Sequence, residues 1–510
     1  MRIIIFLTGL WFGFGPGQGT FAASSPRHVV VVVWDGMRPD FVTEKNAPNL
    51  CGLAKDGVTF AHHHSVYPSA TEVNGTAIST GVYPAHSGLI ANHEYRPGID
   101  KFKPINTEAL TAVRKGDALT QGHYLRVSTV AEIVRKAGRR AVVAGAKPVA
   151  LLPDRAPRDS AAQGADVFAG ATLPANLLAI ITNRYGEFPK DGAANPTRND
   201  WTTQALLDPL WAEGVPDFSL LWLNQPDAAQ HATMPGSQAS LAAIRNADEN
   251  LGRVLRILET KGIRESTDVL VVSDHGFSTV ALKADLAQDL KNAGIKALRE
   301  FKAEPEPGQV LVVANSGSAL LYVIGHDKKI TEQAVTFLQQ WQHTGVIFTR
   351  ENAPGTFSLK ELGLDSEEAP DVLVSLRWTA DKNKSGAAGT IVTDNSGAVG
   401  QGAHVSLSPF DMHNTLIAAG PDFRRGMVDE TPSGNVDIAP TVLWLLGMAA
   451  AMDGRVLTEA LTIPGPAVTA ARPRRLEASQ AMGDSVWHQY LKLNEVNSVV
   501  YCDEGNGFRK

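Results

Sequence analysis

Cysteine is nearly absent from this sequence: Cys51 and Cys502 are the two in 510 residues. That scarcity excludes a disulfide framework and a thiolate metal cluster, leaving one long-range disulfide or two free thiols. Any metal site must then use oxygen and imidazole donors. A long basic run is missing too. With a formal net charge of -6 and no clustered Lys and Arg, a polymeric nucleic-acid partner is not expected. A small phosphorylated substrate needs no such patch, because metal ions can neutralise its charge locally. After the N-terminus no apolar run reaches the ~20 residues of a membrane span. What remains is ordinary globular composition, 44% hydrophobic and 20% charged, sufficient for a large core.

The first residues, MRIIIFLTGLWFGFGPGQGTFAAS, carry Arg2, an apolar stretch from Ile3 to Phe14, and small residues around Ala22 and Ala23. This is the pattern of a secretory signal peptide over residues 1–23. It is too short and too broken by Gly to span a membrane. The expectation is a secreted or periplasmic protein, with an uncleaved anchor as the alternative.

His28 to Trp34 (HVVVVVW) has the β-branched, continuously apolar character of a strand buried on both faces. Phe218 to Leu223 reads as a strand leading to Asp227, and Val269 to Ser273 as another buried strand. Between such runs lie helical patterns: Ala47 to Lys55, Glu72 to Ser79, Ser128 to Ala137 and Ser237 to Leu258. The alternation predicts an α/β fold with a doubly wound, mostly parallel central sheet flanked by helices, and a smaller cap or subdomain inserted within about 282–398. A TIM barrel is the alternative, but eight evenly spaced units are not visible. The Ala-, Pro- and Gly-rich stretch 153–196 reads as surface loops or part of a cap. Residues 24–463 read as the catalytic domain with insertions. Residues 464–510 read as a polar C-terminal extension.

Five short segments carry residues that bind hard or borderline metals. Asp35 follows VVVVVW. Thr71 opens the helical pattern after SVYPSA. Asp227 and His231 stand four apart in PDAAQH, sharing one face if that segment is helical. Asp274 and His275 end VLVVSDH, before a Gly that permits a sharp turn. His404 lies in the Gly-rich GQGAHVS. Each has a plain structural reading: a helix cap, a surface turn, a hydrogen-bonded corner, a loop. Together they read as one site at the carboxyl ends of parallel strands, where ligands collect. Two ions a few ångström apart could clamp the attacking and leaving oxygens of a displacement at phosphorus.

In order and spacing, VVVVVWDGMRPD, the Thr71 segment with TGVYPAHSGLIAN, PDAAQH, SDHGF, and GAHVSLSPFDMHN followed by AAGPDF resemble the alkaline phosphatase superfamily. Within it they resemble the nucleotide pyrophosphatase/phosphodiesterase (type I phosphodiesterase) family, over about His28 to Gly447. The resemblance implies an alkaline-phosphatase-like fold and two zinc ions. It assigns one ion to Asp227, His231 and His404, and the other to Asp35, Asp274, His275 and the hydroxyl of Thr71. Thr71 becomes the nucleophile that forms and then loses a phospho-threonine. Asn92, ending TGVYPAHSGLIAN, donates a hydrogen bond to a non-bridging phosphate oxygen. The implied activity is hydrolysis of phosphodiester or phosphoanhydride bonds.

Two departures keep a phosphomonoesterase or phosphonate hydrolase as the alternative. Nucleotide-cleaving members usually place a base-stacking aromatic residue just after the nucleophile, where Glu72 stands here. Lys147, in VVAGAKPVALLPDR, resembles the substrate-binding lysine of monoesterases, but its partner position is Val149. The absence of a C/S-x-P-x-R context at Thr71 argues against a sulfatase. His62, His63 and His64 match no ligand position of the family and read as solvated or packing residues. His413 is the competitor to His404 for the third imidazole.

Overall fold

Five valines and a tryptophan after His28 form the strand His28–Trp34, whose apolar residues are at most 1% exposed. Burial on both faces needs two covering layers, and the chain supplies them. In the computed structural model, which describes residues 27–162, 164–190 and 196–510, this strand lies at the middle of a nine-stranded sheet. The signal peptide expected over 1–23 falls outside the described residues.

Five strands run parallel in the order Thr267–Val272, His28–Trp34, Phe218–Leu223, Ala141–Gly145, Gly164–Phe168. Leu416–Ala419 joins antiparallel beside Thr267–Val272, and Val58–Phe60 and Met427–Asp429 extend that edge. Val29, Val31 and Val33 face one core, with helices Thr71–Thr80, Val130–Lys136 and Ile438–Leu445. Val30, Val32 and Trp34 face the other, with helices Pro48–Lys55, Thr197–Ala205 and Gln238–Thr260. Each fully buried side chain of this kind contributes roughly 1.5–3 kcal/mol, so the two-sided strand is a rigid base for whatever follows Trp34. The doubly wound α/β expectation holds.

Two expectations change. The stretch 153–196 is more than surface loops: among its described residues 156–162 is a loop, but Gly164–Phe168 and Ala171–Leu173 complete the sheet edge, and Leu177–Tyr185 packs on its face. The strand GADVF is short and buries Asp166 completely, so no apolar run marks it. The polar tail is also structured. Arg472–Met482, Ser485–Val496 and Val499–Arg509 form a three-stranded antiparallel sheet. Its alternate residues Trp487, Leu491, Leu493 and Tyr501 are buried against the body while polar ones face out, a period-two pattern that lowers mean hydropathy.

Between the halves of the main sheet, residues 278–403 build a six-stranded and a four-stranded sheet. The second matters for the site. Gly402–Ala403 pairs antiparallel with Ser278 and Thr279, which carries His404 to the end of the strand that bears Asp274 and His275. Cys51 and Cys502 are both free thiols. Among the described residues no helix is long and apolar enough to cross a membrane.

Candidate active site

The site is built at the carboxyl ends of the central strands. Asp35 follows His28–Trp34, Asp227 opens the helix Asp227–Ala232 after Phe218–Leu223, Asp274 and His275 follow Thr267–Val272, and Lys147 follows Ala141–Gly145. Gly36 makes the first turn feasible. Its φ is +72°, and a β-carbon there would stand 2.9 Å from the Phe277 ring. Its N–H donates to Asp274 Oδ1 at 2.9 Å, tying two of the acids together.

Thr71 is the first helical residue of Thr71–Thr80, with Ala70 at the cap position and no side-chain cap. It therefore does not serve as the helix cap. Its hydroxyl Oγ1 lies 3.1 Å from His275 Nε2. The next amide, Glu72 N–H, donates to Asn92 Oδ1 at 3.2 Å. That bond fixes the orientation of the Asn92 amide, because an N–H requires the oxygen, and leaves Nδ2 as the donor end.

The three imidazoles share one arrangement. His231 Nδ1 lies 3.1 Å from Gly402 O, His275 Nδ1 2.9 Å from Gly276 O, and His404 Nδ1 2.9 Å from Ser69 O. A carbonyl only accepts, so each Nδ1 carries the proton and each Nε2 presents its lone pair inward. Gly402 allows this close approach, since a β-carbon there would be 2.5 Å from Gln230 O. His275 and His404 stack at 3.7 Å between centroids, and Phe277 packs against all three rings.

Opposite these lone pairs sit carboxylates. Asp227 Oδ1 is 3.2 Å from His231 Nε2 and 3.7 Å from His404 Nε2. Asp274 Oδ2 is 3.3 Å and Asp35 Oδ1 3.7 Å from His275 Nε2. All three oxygens, Asp35 Oδ1, Asp227 Oδ1 and Asp274 Oδ2, are buried without a hydrogen-bond partner. Buried carboxylate oxygens left facing imidazole nitrogens are costly unless a cation lies between them; His275 and His404 are buried with them, while the His231 side chain is 42% exposed. The candidate ligand atoms group as Asp227, His275, His404 and as Asp35, Asp274, His275, each within 4.8 Å.

Charge balance points the same way. Lys147 Nζ bridges Asp35 Oδ2 at 2.9 Å and Asp227 Oδ2 at 3.0 Å, one cation against three acids. Burial, with Asp227 and Asp274 nearby, pushes the Asp35 carboxyl well above its ordinary value, and burial takes Asp274 to about 7. Burial opposes ionisation of Asp227 as well, but Lys147 and His231 outweigh it and hold that carboxyl well below. Burial and the neighbouring His275 and His231 keep His404 neutral, far below the usual imidazole value. Burial likewise lowers His275, whereas at His231 burial is outweighed by Asp227, which raises that imidazole above its ordinary value. This mixed set of N and O donors, with one lysine against three acids, suits zinc-like divalent ions.

The type I phosphodiesterase/nucleotide pyrophosphatase family model matches residues 29–391. The chain belongs to that family. The match ends before His404, which joins the site through the strand Gly402–Ala403. Bis(5'-adenosyl)-triphosphatase enpp4 of Mus musculus is 23% identical over 458 residues, covering 88% of this chain and 83% of that protein. Ectonucleotide pyrophosphatase/phosphodiesterase family member 7 of Homo sapiens is 22% identical over 273 residues, 53% of this chain and 52% of that one. Human ectonucleotide pyrophosphatase/phosphodiesterase 5 superposes with a TM-score of 0.59 at 16% identity, covering 86% of this chain and 100% of that structure. An inactive murine form of it in complex with AMP has the same TM-score, identity and coverage.

Against this family background, sequence reasoning passed over several residues. Trp222 donates from Nε1 to Asp35 Oδ2 at 2.9 Å, and Phe277 shapes the imidazole cluster. Both stand in runs read only as strand or turn. Glu72 is 4% exposed, and its Oε2 has no partner. Burial and the nearby Glu108 push its carboxyl well above the ordinary value, against the pull of Lys147, which works against the negative charge expected beside the nucleophile. His63 is buried between Ser433 and Asn435, whereas His62 is exposed beside Glu430. His413 does not join the site; it lies beside His64 and Asp503.

Proposed function

We propose that this chain is an exported phosphodiesterase or nucleotide pyrophosphatase that acts through a covalent phospho-threonine on Thr71. The observation that carries the reading is the set of orphaned oxygens on Asp35, Asp227 and Asp274 facing the Nε2 atoms of His231, His275 and His404, with the Thr71 hydroxyl on His275 Nε2. Asp227, His231 and His404 would hold one zinc ion; Asp35, Asp274, His275 and Thr71 the other. Bound there, the two ions would supply positive charge that acidifies the Thr71 hydroxyl and stabilises the leaving oxygen.

The protein's own groups do the rest. Thr71 Oγ1 attacks phosphorus, the P–O bond to the leaving group breaks, and water later cleaves the phospho-threonine. Asn92 Nδ2 donates to a non-bridging oxygen. The amides at the start of Thr71–Thr80 favour the negative charge that builds up there. Trp222 and Phe277 exclude water and fix Asp35 and the imidazoles. The substrate class is a small phosphorylated molecule, with nucleotide diesters and dinucleoside polyphosphates supported by the relatives.

One observation favours the second reading, a phosphomonoesterase or phosphonate hydrolase: Lys147 reaches the acid cluster, where it could serve an additional phosphate charge. Export rests on the N-terminal signal pattern. The deciding experiment is zinc-loaded turnover of bis-p-nitrophenyl phosphate, thymidine 5′-monophosphate p-nitrophenyl ester and p-nitrophenyl phosphate. A diester preference lost in Thr71→Ala supports the main reading, and a monoester preference moves the assignment to the second.

A further inference from the structure

A second cluster of metal-type donors lies outside the site described above. His64, His413 and Asp503 come from three distant segments, and their ligand atoms lie within 4.8 Å of one another. Backbone pairing brings them together. His63–His64 pairs with Ser433–Gly434, His64 bridges to His413, and Asp503 belongs to the C-terminal strand Val499–Arg509.

The polar contacts at this cluster are shared unevenly. His64 Nδ1 lies 2.9 Å from Ser433 O, which only accepts, so Nδ1 donates and Nε2 is the atom turned toward the other two residues. That Nε2 pairs with Asp503 Oδ1 at 2.7 Å through a proton that a metal ion can displace. His413 Nε2 approaches the same oxygen at 3.7 Å, too far for a hydrogen bond. A proton on His64 would serve one contact and leave His413 Nε2 idle. A single cation serves all three. The outer partners of a metal site are also present: Ser433 O orients His64, and Asn494 Nδ2 donates to Asp503 Oδ2 at 2.8 Å. The side chains of His413 and Asp503 are 27% and 25% exposed, so an ion has a way in and a water can fill a fourth position.

We propose that His64, His413 and Asp503 form a further divalent transition-metal site of the zinc type, with a structural role. Two imidazoles and one carboxylate oxygen are a zinc-type donor set. The ion staples the C-terminal three-stranded sheet to the layer behind the candidate active site. There His63 and Asn414 connect, through Asn435 and directly, to the main chain of Asp274 and Ser273.

The test uses the full chain, stripped with chelator and reloaded with one to four equivalents of zinc chloride. Zinc content is measured by mass spectrometry for the wild type, His413→Ala and Asp503→Asn. Each variant is expected to hold one equivalent less than the wild type, whatever the total. Crystals of the wild type at stoichiometric zinc should show an anomalous peak between the three side chains, which decides the matter if the variants do not fold. Equal zinc in wild type and variants, no peak at the triad, or a peak only at millimolar excess overturns the proposal. Thr71-dependent turnover is read separately, so failure of this site and failure of the catalytic reading remain distinguishable.

Discussion

Thr71 Oγ1 lies 3.1 Å from His275 Nε2, and His275 is locked by its Nδ1 on Gly276 O. The hydroxyl therefore sits at the edge of the carboxylate–imidazole ring, its position set by the helix start rather than by a flexible loop. Thr71→Ala is expected to lower kcat by about three orders of magnitude or more. Thr71→Ser keeps the hydroxyl and should retain measurable turnover. Burst kinetics and trapping of a phosphorylated peptide containing residue 71 check the covalent step; a Thr71→Ala protein that still turns over diesters would sink it.

His404 and His413 were rivals for one role, and the structure separates them by what each faces. His404 Nε2 points at Asp227 Oδ1, while His413 Nε2 points at Asp503 Oδ1. His404→Ala should cost about a hundredfold or more in zinc-supported diester turnover, by analogy with the cost of disturbing metal-ligand shells. His413→Ala should leave it within about threefold. Chelator should abolish wild-type turnover and zinc should restore it. Similar losses in both variants would show that His404 has no special standing.

Much of this site was legible because its residues follow long β-branched runs, where a polar residue stands out. Asp35 and Asp274 fall into that class, and Asp227 follows an apolar strand after three intervening residues; the α/β alternation predicts a parallel sheet but not the strand order that unites them. His404 was readable only through the family pattern, since its approach depends on the pairing of Gly402 and Ala403 with Thr279 and Ser278. The strand around Asp166 was hidden by its brevity and its buried carboxylate. The C-terminal sheet was hidden by a polar outer face. His64 escaped because nothing local in a His-His-His run says which ring turns inward; that is set by strand pairing with Ser433.

Asp268 provides a pH test remote from the chemistry. It begins the strand beside His28–Trp34, fully buried, with Oδ1 accepting from Asp422 N–H at 3.2 Å and Oδ2 without a partner. Burial pushes its carboxyl up to about 7 from 3.8, against the pull of Arg27 and Arg264. Between those values the folded protein holds a proton that the unfolded chain has released. Stability must then fall as pH rises through this window and level off above it, by an amount on the order of 4 kcal/mol. Asp268→Asn keeps the accepting oxygen and removes the titration. Its advantage over wild type in urea midpoint should grow from pH 4 to 7 and then stay constant. A difference independent of pH would refute the buried-carboxyl account.

Lys147 bridges Asp35 Oδ2 and Asp227 Oδ2, so it can act on the substrate or only on the acids. Burial opposes its charge, but Asp227 and Asp35 outweigh that and hold the ammonium protonated far above its ordinary range. A monoester brings one more negative charge than a diester, and a charge-assisted hydrogen bond to it is worth about 1.5–3 kcal/mol. If Lys147 serves that charge, Lys147→Gln should lower kcat/KM for p-nitrophenyl phosphate about tenfold to a hundredfold. The loss for bis-p-nitrophenyl phosphate should then be below about threefold. Equal losses on both esters, with reduced zinc affinity or altered metal dependence, would instead assign Lys147 to holding the two aspartates. The ratio of the two effects thus separates a substrate-reading cation from a positioning one, because only the first responds to the charge of the ester.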